Sequence, residues 1–142
     1  MPVVISTITP QGKELADKLY RDKAYIFYLP VDVSFIIKKI IKLIGPRIFL
    51  CLETEIWPNL YLYLHKRGVP IIIFNARISN KSFKFYRPAR TLLKSVLRKV
   101  CFIAAQDSCA EKRFLCLGIK RPFIKVTGNM KFKSISVSQH KV

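Results

Sequence analysis

Two of the chain's eight acidic residues stand one residue apart in Glu53-Thr54-Glu55, directly after the apolar run Ile-Phe-Leu-Cys-Leu. A carboxylate at the end of a buried strand can hold a sugar hydroxyl, move a proton or steady a developing positive charge. Three further polar clusters follow apolar runs in the same way: Asn75-Ala76-Arg77, Gln106-Asp107 and Gly128-Asn129-Met130-Lys131. The guanidinium fork of Arg77 suits a phosphate or a carboxylate. Plainer roles stand beside these. Glu53 and Glu55 could cap the next helix or neutralise Arg77 and Lys131. Asn75 could hold a turn, Trp57 could fill a helix–sheet contact, and Lys131 could be a solvated charge.

The elements that must position these groups alternate. Apolar, β-rich runs at 3–8, 24–29, 47–52, 69–74, 101–105 and 123–127 read as strands. Helical stretches lie between them. Thr9-Pro10 caps the first, and the second runs from about Asp32 to Ile44 with Phe35, Ile36, Ile40, Leu43 and Ile44 as its apolar side. Pro58 opens the third, which runs through Lys66. A short helix starts at Ser79 or Ser82, and Pro88 interrupts it. The clearest helical period follows, with Ala89, Leu92, Leu93, Val96, Leu97 and Val100, and a last helix spans Ser108 to Leu117. The third strand carries no polar alternation, which predicts burial on both faces, as in a parallel sheet. The pattern predicts an α/β fold: a Rossmann-like parallel sheet with flanking helices over residues 1–132, then a polar tail over 133–142. In such sheets ligands bind beyond the carboxyl ends of the strands, so the four polar clusters share one edge.

Charge narrows the partners. The net charge is +18, and no Asp or Glu occurs between Ile56 and Gln106, where ten basic residues accumulate. An anionic lipid surface, an acidic protein, a phosphorylated small molecule or nucleic acid would each compensate it. Nucleic acid ranks last, since no basic–aromatic recognition motif is present. No G-x-G-x-x-G or G-x-x-x-x-G-K loop occurs to clamp a nucleotide. His65 and His140 lack supporting ligands, so no metal site is expected. Cys51 and Cys101 read as buried thiols, and the four cysteines have no zinc or redox spacing. Apolar stretches are broken by Lys38, Lys39, Lys42 or Gly45-Pro46 before the roughly 20 residues a membrane span needs.

Several strings occurring in order resemble the 3-deoxy-D-manno-octulosonic acid (Kdo) transferase family. They are Thr9-Pro10-Gln11-Gly12, Tyr28-Leu29-Pro30-Val31-Asp32, Glu53-Thr54-Glu55-Ile56-Trp57-Pro58-Asn59-Leu60, and Asn75-Ala76-Arg77-Ile78-Ser79 with Ser82 and Tyr86. Ala104-Ala105-Gln106 and Val126-Thr127-Gly128-Asn129-Met130-Lys131-Phe132 complete the set.

The resemblance implies part of the amino-terminal half of a GT-B glycosyltransferase, which receives a lipid A precursor while a carboxyl-terminal domain binds the donor CMP-Kdo. It implies Glu53 and Lys131 as transition-state stabilisers, and assigns Glu55, Asn75, Arg77, Ser79 and Asn129 to substrate binding. No cofactor or metal is implied. The expected location is peripheral, on the anionic cytoplasmic face of the inner membrane. The family's base glutamate lies in a Ser-Val-Gly-Glu-like stretch not found in these residues, and no donor-domain pattern follows Phe132. The resemblance thus implies that the 142 residues alone are inactive. A non-enzymatic anionic-lipid-binding module, or a degenerate remnant, is the alternative reading.

Overall fold

The computed structural model describes residues 2–86 and 88–130. Lys131, Arg87, His140 and the polar tail lie outside the described residues. The chain divides into two compact units, Met1–Gly45 and Pro46–Val142.

In the first unit, β1 (Val3–Thr7) pairs in parallel with β2 (Ala24–Tyr28), from Val3 opposite Ala24 to Thr7 opposite Tyr28. The crossover is α1 (Pro10–Tyr20). Thr9 caps it as its sequence requires, its Oγ1 accepting from the Gly12 amide at 3.1 Å, with Pro10 where a missing N–H costs nothing. Lys13 and Asp17, one turn apart, form an ion pair of 2.6 Å.

The second helix of this unit, α2 (Ser34–Ile44), ends on Gly45 in the left-handed conformation, φ 57°. It buries Ile37 and Ile41, while Phe35 and Leu43 are 73% and 86% exposed. The expected apolar side is corrected accordingly. At about 100° per residue Ile37 and Ile41 share a face, whereas Phe35 emerges on the lysine side.

The second unit holds a four-stranded, all-parallel sheet in the order β3 (Phe49–Leu52), β4 (Ile71–Ala76), β5 (Phe102–Ala105), β6 (Ile124–Val126). Between these strands run α3 (Pro58–Lys66), then α4 (Asn80–Tyr86) and α5 (Arg90–Leu97), then α6 (Ser108–Cys116) and a short 3-10 turn, Arg121–Phe123. The core gathers on the central strands: Ile71, Ile73, Ile103 and Ala105 are inaccessible, as are Tyr61 and Leu64 of α3 and Phe114 of α6.

Three expectations fail here. β3 is an edge strand of its sheet; Cys51 is buried, but Leu50 and Leu52 are 51% and 64% exposed. Alternate side chains leave opposite faces, and only one face of β3 is covered. Cys101 is exposed; it stands just before β5, with its amide donating to the Ile71 carbonyl at 2.8 Å. In α5, Leu93, Val96 and Leu97 are buried, but Leu92 is 58% exposed, so the apolar stripe is narrower than its period suggested.

Candidate functional site

The site forms at the carboxyl edge of the four-stranded sheet. β3 ends at Leu52, and the Glu53 amide makes one further ladder bond, to the Phe74 carbonyl at 2.8 Å. The chain then turns sharply, with Glu53 in the left-handed region at φ 67°. A residue with a Cβ pays about 1 kcal/mol or more to stay there. At the end of β4, Asn75 does the same at φ 54°. Asparagine tolerates this conformation better than most residues. These are the two non-glycine residues with positive φ among those described, and they flank one sheet edge.

Hydrogen bonds tie the strand ends together. Thr54 Oγ1 accepts from the Arg77 amide at 2.8 Å, joining the β3 and β4 loops. Asn75 is buried, and its Oδ1 accepts from the Met130 amide at 3.2 Å, reaching the segment after β6. Gln106, after β5, donates through Nε2 to the Asn75 carbonyl at 3.0 Å. The Thr127 amide donates to the Ala105 carbonyl at 2.9 Å. Four loops from four strands are thus locked in register.

The acidic loop has a support beneath it. Pro58 starts α3 and Trp57 is its N-cap, with the Trp57 carbonyl accepting from the Tyr61 amide at 2.9 Å. Helical side chains lean toward the amino terminus, so the Tyr61 phenol reaches back and donates to the Glu55 carbonyl at 2.7 Å. The Trp57 indole donates through Nε1 to Glu55 Oε2 at 3.1 Å. Phe49 packs edge-on against the Tyr61 ring at 6.0 Å. Burial pushes the Tyr61 phenol well above the ordinary tyrosine range, so it remains a donor, and burial likewise raises the Cys51 thiol.

Of the residues singled out by sequence, Glu53, Glu55, Arg77 and Asn129 lie on the loops of this edge and Asn75 lies near the end of β4. Ser79 lies just beyond and takes a structural part: its Oγ accepts from the Ser82 amide at 3.1 Å and donates to Ser82 Oγ at 2.9 Å, opening α4. Asp107 caps α6, accepting from the Ala110 amide at 2.7 Å. The N-cap position of α3 is held by Trp57, whose own side chain makes no cap bond. Among the described residues no group of three His, Cys, Asp or Glu could hold a metal ion.

Sequence reasoning missed two contributors. Tyr61 was read only as part of a helix, although four positions after Trp57 in a Pro-opened helix is where a ring leans back over the preceding loop. Arg113 of α6 donates to the Ile78 carbonyl and to Asn80 Oδ1, pinning the segment after Arg77. No local signal connects positions 33 and 35 residues apart.

A family model described as 3-deoxy-D-manno-octulosonic-acid transferase (kdotransferase) matches residues 1–134. A 3-deoxy-D-manno-octulosonic acid transferase from Haemophilus influenzae is 34% identical over 132 residues, 93% of this chain and 31% of the relative. A bifunctional glycosyltransferase/methyltransferase from Fusobacterium nucleatum is 36% identical over 140 residues, 97% of this chain and 22% of the relative. A Rickettsia typhi 3-deoxy-D-manno-octulosonic acid transferase is 28% identical over 142 residues, 99% of this chain and 30% of the relative. The chain therefore spans a third or less of the length of these relatives. With its parallel strands alternating with helices as in the amino-terminal domain of a GT-B glycosyltransferase, the chain belongs to the 3-deoxy-D-manno-octulosonic acid transferase family.

Proposed function

We propose that residues 1–132 form the acceptor-side domain of a Kdo transferase and that the carboxyl edge of the four-stranded sheet receives a lipid A precursor. The observation that carries this reading is the convergence of Glu53, Glu55, Asn75 and Arg77 on one cross-linked edge, with two residues held in left-handed backbone. Strained backbone persists where the surroundings over-determine it, and such places cluster at functional sites.

Each group has a chemical task. Arg77 offers a guanidinium to a phosphate of the acceptor, and Glu55 accepts hydrogen bonds from its hydroxyls. Asn129 and Ser79 add polar contacts at the rim. As the acceptor hydroxyl attacks the anomeric carbon of Kdo, CMP departs with the bonding electrons and positive charge grows on the sugar ring. Glu53 stabilises that charge, and Lys131 meets the negative charge on the leaving side. The base that takes the hydroxyl proton, and the groups that bind CMP-Kdo, come from parts of the enzyme outside these 142 residues. No cofactor or metal enters this scheme.

The same reading puts the domain at the cytoplasmic face of the inner membrane, held peripherally. Among the described residues no helix is long and apolar enough to cross a membrane. On α2, exposed Phe35 and Leu43 accompany Lys38, Lys39 and Lys42, a composition suited to a shallow seat in anionic lipid. That helix also favours a second reading, a non-enzymatic module for anionic lipid.

A transfer assay separates the two. The purified 142-residue chain should transfer no Kdo from CMP-Kdo to lipid A precursor. Joined to the remaining length of a family relative it should do so, and Glu53→Gln should lower kcat about 100-fold or more. Measurable transfer by the 142 residues alone, or full activity in the joined Glu53→Gln protein, contradicts the scheme.

A further inference from the structure

The loop that carries Glu55 is held by two donors from the start of α3, and they grip different ends of the same residue. The Tyr61 hydroxyl fixes its main-chain carbonyl at 2.7 Å, and the Trp57 indole fixes its carboxylate at Oε2, 3.1 Å. Tyr61 is fully buried and packed edge-on against Phe49, so its hydroxyl is immobile. Trp57 and Glu55 are half-buried, and the Trp57 backbone is fixed at the N-cap of α3, its carbonyl accepting from the Tyr61 amide.

The choice of donor matters. In a chain with 26 lysines and arginines, the donor to the Glu55 carboxylate among the described residues is a neutral indole and not a cation. A lysine or arginine would neutralise the carboxylate and, if bidentate, occupy both oxygens. An indole offers a single N–H. It aims the carboxylate, leaves its negative charge intact and leaves Oε1 with its acceptor capacity. That suits a ligand presenting hydroxyl donors, where a charged acceptor makes each hydrogen bond stronger than a neutral one.

We propose that Trp57 and Tyr61 are positioning residues that orient Glu55 before the ligand arrives, so that Oε1 accepts from the hydroxyls of the acceptor sugar. This rests on the acceptor-site reading above. Preorganisation would show as affinity, because the ordering of the carboxylate is completed before binding.

Trp57 is the sole tryptophan, so the chain has one indole N–H resonance, and the clamp can be read without any ligand. In the 142-residue chain that resonance should move and its proton should exchange several-fold faster in Glu55→Ala, which removes the acceptor. Calorimetric titration with lipid A precursor in detergent micelles then reads the consequence. Tyr61→Phe and Trp57→Phe should each weaken binding about 10-fold while the variant chain stays folded at the working temperature, and Glu55→Gln should weaken it at least as much. An indole resonance that is the same in the native chain and in Glu55→Ala overturns the clamp whatever the protein binds. An indole that responds to Glu55→Ala, with unaltered affinity in both ring variants, overturns the positioning role and leaves the acceptor site standing. An indole that responds to Glu55→Ala in a chain that binds no precursor overturns the acceptor-site reading, and this inference with it.

Discussion

Thr54 and Arg77, 23 positions apart, are joined by a 2.8 Å hydrogen bond from the Arg77 amide to the Thr54 hydroxyl. The middle residue of the acidic triplet is therefore the tie between the two loops that carry the charged groups. Thr54→Val keeps the shape and removes the acceptor. It should cost about 1 kcal/mol and speed hydrogen exchange of the Arg77 amide several-fold, measured by denaturant titration and amide exchange.

The left-handed backbone at Glu53 can be weighed by comparing two variants that both lack the carboxylate. At φ 67° alanine carries the Cβ penalty and glycine does not. Glu53→Gly should therefore be more stable than Glu53→Ala by about 1 kcal/mol in thermal unfolding. Equal stabilities would mean that the backbone there is unstrained.

Asn75 combines a left-handed backbone with a side-chain bond to the Met130 amide. Asn75→Ala loses both the tolerance and the bond and should cost about 2–3 kcal/mol. Asn75→Asp retains an acceptor oxygen and should keep the Met130 amide protected, whereas Asn75→Gly relieves the backbone and exposes that amide to exchange. Chemical denaturation with amide exchange resolves the three.

The buried Tyr61 phenol gives a pH signature. Its folded pKa lies above the ordinary value of 10.0, so the folded state holds the proton more tightly than the unfolded one. Its stabilising contribution is complete below pH 10.0 and falls as the pH rises above that value. One proton corresponds to about 1.4 kcal/mol per pH unit. Stability measured on the alkaline side should fall less steeply in Tyr61→Phe than in the native chain. The thiol of Cys51, raised above its ordinary 9.0, acts in the same direction and begins lower.

Much of this architecture is readable along the chain, and the reasons are local. Thr9-Pro10 and Pro58 open helices where they stand, Gly45 closes one, and the apolar runs at 69–74 and 101–105 supply the central strands, Ile71–Ala76 and Phe102–Ala105. Placing polar residues after those runs was enough to assemble Glu53, Glu55, Asn75, Arg77 and Asn129 on one edge. What escaped is what depends on partners distant in sequence. An uninterrupted apolar run does not distinguish an edge strand from a central one, so exposed Leu50 and Leu52 on β3 were unforeseen. The pairing of the Ser79 hydroxyl with Ser82, three residues on, which opens α4, is a further role that its motif does not announce. The grip of Arg113 on Ile78 and Asn80 needs the fold before it can be seen.

The account turns on whether this sheet edge recognises a phosphorylated lipid by its headgroup or by charge alone. Titrating the 142-residue chain with lipid A precursor, and separately with phosphatidylglycerol, at low and high salt decides it. The account predicts saturable binding of the precursor that persists at high salt and weakens about 10-fold or more in Glu55→Gln and in Arg77→Ala, while phosphatidylglycerol binding is salt-sensitive and indifferent to both changes. Equal binding of the two lipids by the native chain and both variants, lost together as salt rises, would contradict it.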